Sequence, residues 1–230
     1  RHELVAFSKE YGIPHDVCGK VVVATQKNEL ANMDRIFAIG TENRIEGIEK
    51  ITSDQVKEIE PHVESIGGIW VPCTGIVDFV AATKKMVELA LAINNESKVF
   101  LGCEVQDIEK KDEYSILHTS KGDFQSNYQV FCAGLQADRL AKKDGVDLKE
   151  KVVGFRGDYY ELTPKAQHKV KNLIYPVPNP DFPFLGVHFT RMFNGDIECG
   201  PNAVFTFKRE GYTKTDFSFK DTLQALSFQG

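Results

Sequence analysis

The sequence predicts a mixed α+β protein in which an α/β block sits between two stretches rich in antiparallel strands. Three observations carry this expectation. Helix-period runs recur through the first 150 residues, the strongest at Phe79–Ile93. Short β-branched runs such as GKVVVAT interleave with them. Beyond Lys151 the pattern turns to long alternating strands. The chain therefore divides into residues 1–75, 76–150 and 151–230, with the outer two belonging to one domain that the chain leaves and re-enters.

Leu4, Val5, Phe7 and Tyr11 share roughly one helical face, and Gly12 follows as a stop. Gly19–Thr25 reads as a buried strand. Asn28–Ile39 opens on a polar cap and is expected to be a helix ending at Gly40. Thr52-Ser53-Asp54 caps a short helix over Gln55–Ile59, which Pro61 stops. Gly67–Pro72 gives a turn and short strand, and Cys73-Thr74-Gly75 a second turn. After the amphipathic helix Phe79–Ile93, strands are expected at Lys98–Glu104 and Tyr128–Cys132. Tyr114–His118 and Gly122–Gln125 form an antiparallel pair between them, and Ala133-Gly134 bends into a helix over Leu135–Lys143. Strands follow at Val152–Leu162, Asn172–Tyr175, Leu185–Thr190, Asp196–Cys199 and Val204–Lys208. A last helix-like segment begins near Ser218 and runs to Gly230.

Composition excludes several classes. The 230 residues are 42 % hydrophobic and 27 % charged, as in an ordinary globular protein rather than a disordered tail or a fibre. The net charge of −5 argues against a nucleic-acid partner, which would need clustered Lys and Arg. The apolar runs Lys20–Thr25 and Val77–Ile93 are too short for a membrane span or carry Asp78, Lys84, Lys85 and Glu88. Five scattered cysteines without C-x-x-C spacing are expected to be reduced and mostly buried, neither a disulfide framework nor a zinc site. Arg1-His2-Glu3 leads straight into a helix, with no signal peptide and no initiator Met, as in a piece of something longer. No metal-ligand spacing, G-x-S-x-G, P-loop or G-x-G-x-x-G occurs.

Four stretches carry chemistry. In YQVFCAGLQADRL (Tyr128–Leu140) a strand meets Ala-Gly and a helix, so small residues stand where backbone approaches a phosphate-bearing ligand; the same pattern also serves as a plain βα turn. KVFLGCEVQDI (Lys98–Ile108) ends a strand whose backbone pairs with an adenine edge in split nucleotide-binding domains, or is an ordinary sheet edge. In GFRGDYY (Gly154–Tyr160), Arg156 is out of place on a strand unless it meets an anion, with Asp158 as the local alternative partner. The fourth stretch joins IYPVP, FPFLGVHFTRM and GPNA. There alternation sets His188 opposite Leu185, Val187 and Phe189, and a twist is expected to bring Arg191 to the same pocket. A histidine able to take a proton beside a carboxylate-holding arginine suits chemistry on an α-hydroxy acid; a core histidine and a surface cation is the other reading. His2, His62 and His168 sit in polar loops, and His15 and His118 lack partners in sequence.

GFRGDYYEL, LIYPVPNPDFPFLGVHFTRM and GPNAVFTFKREGY together resemble the L-2-hydroxyglutarate oxidase/dehydrogenase family, FAD-dependent enzymes of the D-amino-acid-oxidase-like class. The similarity extends to GKVVVAT, GGIWVPCTGIVDF and FCAGLQADRL. It implies a partial split FAD-binding domain at 76–150 and an antiparallel-sheet substrate domain from 1–75 and 151–230. It also implies a central portion of a longer protein, with the family's Gly-rich fingerprint before Arg1 and a further flavin-contacting stretch after Gly230. By the same resemblance Val105, Ala133 and Gly134 meet FAD with Asp138 nearby, Arg156, Tyr159 and Arg191 hold a small dicarboxylate, and Asn202 helps shape the substrate pocket. His188 is the implied base as hydride leaves the α-carbon for the flavin. The implied activity is oxidation of L-2-hydroxyglutarate to 2-oxoglutarate, with electrons passing to oxygen or to a peripheral membrane acceptor. The setting is cytoplasmic, or the cytoplasmic side of a membrane. Competing readings are a glycine- or sarcosine-oxidase-like enzyme of the same class and a non-catalytic flavoprotein-like module.

Overall fold

The computed structural model describes residues 1–182 and 184–228. In chain order its elements are α1 (His2–Glu10), β1 (His15–Asp16), β2 (Lys20–Ala24), α2 (Leu30–Glu42), β3 (Glu49–Ile51), α3 (Ser53–Ile59), β4 (Gly67–Val71), β5 (Ile76–Val77) and α4 (Phe79–Ile93). Then come β6 (Val105–Lys110), β7 (Ser115–Thr119), β8 (Gly122–Ser126), α5 (Ala137–Lys143), β9 (Phe155–Glu161), β10 (Leu173–Pro176), β11 (His188–Arg191), β12 (Ile197–Phe205) and α6 (Phe219–Leu226). The chain forms two compact units, Arg1–Asn95 with Gly157–Ala203, and Glu96–Arg156 with Val204–Gly230.

The first unit is built on a seven-stranded sheet of order β3-β4-β2-β10-β11-β12-β9. The β-branched run of β2 suits its central place: Val21, Val22, Val23 and Ala24 are all buried. β2 pairs antiparallel with β4 and parallel with β10, which aligns Lys20 with Leu173 and Val22 with Tyr175. Alternation then sorts the core onto two faces. Val21, Val23, Ile174 and Ile197 pack with Val56 of α3 on one, while Val22, Ala24, Ile69, Val71 and Val177 pack with Met33 of α2 on the other. α3 begins in a reciprocal capping box. Gln55 N–H donates to Thr52 Oγ1 at 3.3 Å, and the Gln55 side chain accepts from Thr52 N–H at 2.8 Å.

At the end of α3, Glu60 is fully buried. Its carboxylate accepts from the backbone N–H of Lys171 (3.1 and 3.2 Å) and of Asn172 (2.6 Å), and from the Asn172 amide (2.9 Å). Among the described residues no cation pairs with it. The two backbone donors immediately precede β10, so Glu60 pins the point at which that strand enters the sheet.

The second unit contains the antiparallel meander β6-β7-β8 and helices α5 and α6. A charge network links its parts. Both Asp138 carboxylate oxygens take the Arg209 guanidinium in a bidentate pair, and Asp138 Oδ2 also accepts Val152 N–H at 3.2 Å. Arg209 donates further to the carbonyls of Leu135 (3.0 Å) and Val152 (2.9 Å), and its backbone N–H donates to Asp221 Oδ2 at 2.9 Å. Arg139 pairs with Asp221 in turn. Burial alone would raise the Asp138 pKa, but the Arg209 hydrogen bonds and charge outweigh it and hold the carboxyl below its ordinary value.

Several expectations need correction. α2 does not stop at Gly40 but runs through it to Glu42, because Gly40 is a packing contact: a Cβ there would lie 2.4 Å from Ile48 Cδ1. Lys98–Glu104 and Tyr128–Cys132 are not strands. A strand exists only when paired, and neither stretch has a ladder; Leu101, Tyr128 and Val130 are 80, 92 and 88 % exposed. The ladder begins instead at Val105. The strands expected at Asp196–Cys199 and Val204–Lys208 are one strand, β12, running through Gly200–Ala203. β11 starts at His188 rather than Leu185, where its pairing with β12 begins. The last helix is α6, and its expected end at Gly230 lies outside the described residues. All five cysteines are free, but four are half-buried and Cys132 is exposed. His118 has partners after all, Asp123 at 3.0 Å and Glu109 at 3.7 Å, supplied by the hairpin and by β6.

Replacing Glu60 by Ala strips two part-buried backbone donors of their acceptor. We expect a loss of about 1–3 kcal/mol for each in urea unfolding of the full-length protein, with Glu60→Gln retaining part of it. Asp138→Ala leaves Arg209 charged and unpaired and is expected to cost about 3–5 kcal/mol. Because Asp138 titrates lower folded than unfolded, its stabilisation is complete above the ordinary aspartate pKa. It is lost as pH falls below that value through the depressed one, and Asp138→Asn should flatten stability against pH in that acid window.

Candidate active site

One face of the larger sheet carries a row of aromatic and polar groups. His188 on β11 is 6 % exposed, and its ring stacks on Tyr175 of β10 with centroids 4.1 Å apart and planes 19° from parallel. His188 Nδ1 lies 2.9 Å from the Gly186 carbonyl oxygen. A carbonyl only accepts, so Nδ1 carries a proton, and in the neutral form of the ring this tautomer leaves the lone pair on Nε2. Across β12, His188 is in register with Gly200. Tyr159 of β9 covers that position so closely that a Cβ on Gly200 would sit 2.5 Å from its ring. Burial, then the charge of Glu198, pushes the Tyr159 phenol above its ordinary pKa, which keeps the hydroxyl protonated and able to donate.

On the other side of Tyr175, the ammonium of Lys20 lies 5.1 Å from the ring centroid, within cation–π range. Lys20 opens β2 and shares the face of Val22. Burial holds its pKa below the ordinary lysine value. Among the described residues no carboxylate pairs with it. It also borders a cavity of about 480 Å³ whose remaining wall is mainly apolar, including Ile36, Ile39 and Val71, and contains no carboxylate.

Arg191 does not join this row. Three positions apart on one strand, it and His188 have opposite parity, and no twist overcomes that in a strand paired with β12 throughout. Its guanidinium instead meets Asp16 at 2.9 Å and the Lys171 carbonyl at 3.4 Å. Asn202 is exposed on β12, two positions beyond Gly200 and so of matching parity. In the second unit, Arg156 donates to the Thr213 carbonyl at 2.7 Å.

The expected cofactor residues all lie in the second unit, and the fit differs among them. Gly134 has φ +50°, and no atom lies within 4 Å of where its Cβ would be, so the Ala133-Gly134 backbone is open to close approach. At Val105 the β6–β7 register shifts before Asp107, a bulge that frees backbone groups from the ladder. These positions suit the edge of a large ligand such as FAD. Asp138 does not, because its carboxylate is occupied by Arg209 and the Val152 N–H. Among the described residues no cluster of His, Cys, Asp and Glu could hold a metal ion.

Two members of the row, Tyr175 and Lys20, were not singled out as site residues from the sequence. A lysine opening an otherwise apolar β-branched run, GKVVVAT, is the signal that marks Lys20. Tyr175 carries no comparable mark: its role depends on the β10–β11 register, which links positions that no spacing rule connects.

Residues 1–227 match the family described as FAD dependent oxidoreductase. The chain is 44 % identical over its whole length to an L-2-hydroxyglutarate dehydrogenase of Indibacter alkaliphilus, and spans 57 % of that protein. Among solved structures, an L-proline dehydrogenase from P. horikoshii superposes with TM-score 0.75 at 18 % identity, over 99 % of this chain and 59 % of its own. An L-α-glycerophosphate oxidase from Mycoplasma pneumoniae with FAD bound gives 0.73 at 20 % identity, over 94 % of this chain and 59 % of its own. The mixed α/β architecture, the sheet that carries the His188 row and the match over nearly the full length agree: the chain belongs to the FAD-dependent oxidoreductase family.

Proposed function

We propose that the full-length protein oxidises L-2-hydroxyglutarate to 2-oxoglutarate. The observation that carries this reading is the 44 % identity, over the whole chain, to a protein named L-2-hydroxyglutarate dehydrogenase. The chain spans little more than half of that relative, so the assignment is to the parent enzyme. In it, Glu96–Arg156 would contribute to the FAD-binding domain and Arg1–Asn95 with Gly157–Ala203 would form the substrate domain, bounds that follow the two compact units rather than residues 75 and 150. Val105, Ala133 and Gly134 would hold part of the dinucleotide. Bound FAD supplies a two-electron acceptor for the hydride of the substrate α-carbon.

The residues of this chain supply the rest. His188 Nε2, left bare because Nδ1–H is committed to the Gly186 carbonyl, accepts the hydroxyl proton. The Tyr175 stack fixes the plane in which that lone pair points. The protonated Tyr159 hydroxyl and the Asn202 amide donate hydrogen bonds to the α-carboxylate and help exclude water. Arg156 remains a candidate for binding a carboxylate in the complete enzyme. We assign Arg191 to its Asp16 contact, from which it braces β11 behind the imidazole. Electrons leave to oxygen or to a peripheral membrane acceptor on the cytoplasmic side; among the described residues no helix is long and apolar enough to cross a membrane.

The test uses the full-length holoenzyme. L-2-Hydroxyglutarate should bleach the flavin anaerobically, whereas glycine and sarcosine should not; the reverse pattern favours the amine-oxidase alternative. His188→Ala should lower kcat by about 10²–10⁴ with the flavin absorbance of the resting enzyme intact. Unchanged turnover would remove His188 from the base role.

A further inference from the structure

A five-carbon diacid presents a second carboxylate beyond the one that Tyr159 and Asn202 would hold, and the His188 face of the sheet carries a cation for it that the family resemblance did not point to. We propose that Lys20 binds the distal carboxylate of the substrate and thereby selects dicarboxylates over 2-hydroxy monocarboxylates. The proposal rests on the functional reading above and deepens it.

Geometry is the main support. Lys20, Tyr175 and His188 come from three adjacent strands and share one face, with Tyr175 between the other two. The ammonium lies 5.1 Å from the Tyr175 centroid and the imidazole 4.1 Å from it, so base and cation are separated by no more than the width of the tyrosine and its two contacts. From the C2 hydroxyl oxygen to the far carboxylate oxygen an extended five-carbon diacid spans about 5–6 Å, and a hydrogen bond of about 3 Å at each end brings its reach to about 11 Å, enough to join groups that the two Tyr175 contacts hold within about 9 Å of each other. A substrate whose hydroxyl meets His188 Nε2 can therefore extend its far carboxylate toward Lys20.

The chemistry of Lys20 agrees. Half-buried ammonium groups normally find a carboxylate, and among the described residues this one has only the face of an aromatic ring and the nearby Cys73 thiol. Arg191, expected with Arg156 and Tyr159 to hold the substrate carboxylates, instead pairs with Asp16 on the opposite face. An incoming carboxylate would return to Lys20 the charge compensation that burial withholds. A monocarboxylate, held only at the α-carboxyl end, would leave the ammonium as it is.

The experiment separates this inference from the functional reading by measuring binding as well as turnover. Glutarate and butyrate, neither of which is oxidised, are titrated into the full-length holoenzyme and followed by perturbation of the flavin absorbance. Glutarate should bind at least tenfold tighter than butyrate to the wild type. That difference should vanish in Lys20→Met and be largely kept in Lys20→Arg. In turnover, Lys20→Met should raise KM for L-2-hydroxyglutarate at least tenfold with a much smaller change in kcat, a split that general damage to the fold would not give. Equal binding of the two acids by the wild type overturns the proposal, and so does an undiminished preference in Lys20→Met. If Lys20→Met loses its flavin, the preference is read in Lys20→Gln against Lys20→Arg, and equal values in those two also overturn it. A wild type that prefers glutarate yet does not oxidise L-2-hydroxyglutarate refutes the functional reading and leaves the Lys20 assignment standing.

Discussion

The parallel pairing of β2 with β10 is the constraint on which the site depends. It joins segments about 150 residues apart in sequence and sets Lys20 diagonally beside Tyr175. Without it the start of the chain would share no sheet with His188. Parallel strands cannot be joined by a tight turn, so their register must be fixed from outside. Here the Glu60 carboxylate does part of that work, holding the two backbone amides just ahead of β10. A buried carboxylate satisfied by backbone donors is selective about geometry: a one-residue slip would leave the charge without its partners. The same slip would also turn the apolar side chains of β10 to the wrong face. Polar satisfaction and hydrophobic sorting thus specify the same register.

Much of this was legible in the sequence wherever structure is local. The Thr52-Ser53-Asp54 cap, the 15-residue run of α4, the β-branched β2 and the β7–β8 hairpin all appear near where their patterns place them. The misreadings arise where structure depends on distant partners. Lys98–Glu104 and Tyr128–Cys132 have strand composition but no strand to pair with among the described residues. Gly40 has the look of a helix stop and is instead a close contact with Ile48. Composition states a preference, and pairing decides whether it is realised.

The site shows the same division. The placement of His188 on one face of its strand was readable from local alternation, and the structure keeps it there beside Tyr175; its role as base is the proposal made above. The expectation that Arg191 shares the pocket face of His188 is not met for a physical reason: positions three apart on a strand face opposite ways. A cation that does share the face of His188, Lys20, lies 168 positions earlier and is connected to it through the register of three strands. Asp138 illustrates the converse. Its place after Ala133-Gly134 suggested a cofactor neighbour, yet its carboxylate is consumed by Arg209, a residue whose relevance no local pattern reveals.

The two faces of β11 therefore divide their labour, with Arg191 and Asp16 bracing one side while the imidazole, aromatic and ammonium groups line the other. The most direct measurement of this account is a structure of the full-length holoenzyme with 2-oxoglutarate bound. The account places the diacid along the Tyr175 ring, its keto oxygen toward His188 Nε2 and its distal carboxylate on Lys20. Density for the diacid on the Arg191 side of the sheet, or against neither Lys20 nor His188, would contradict it.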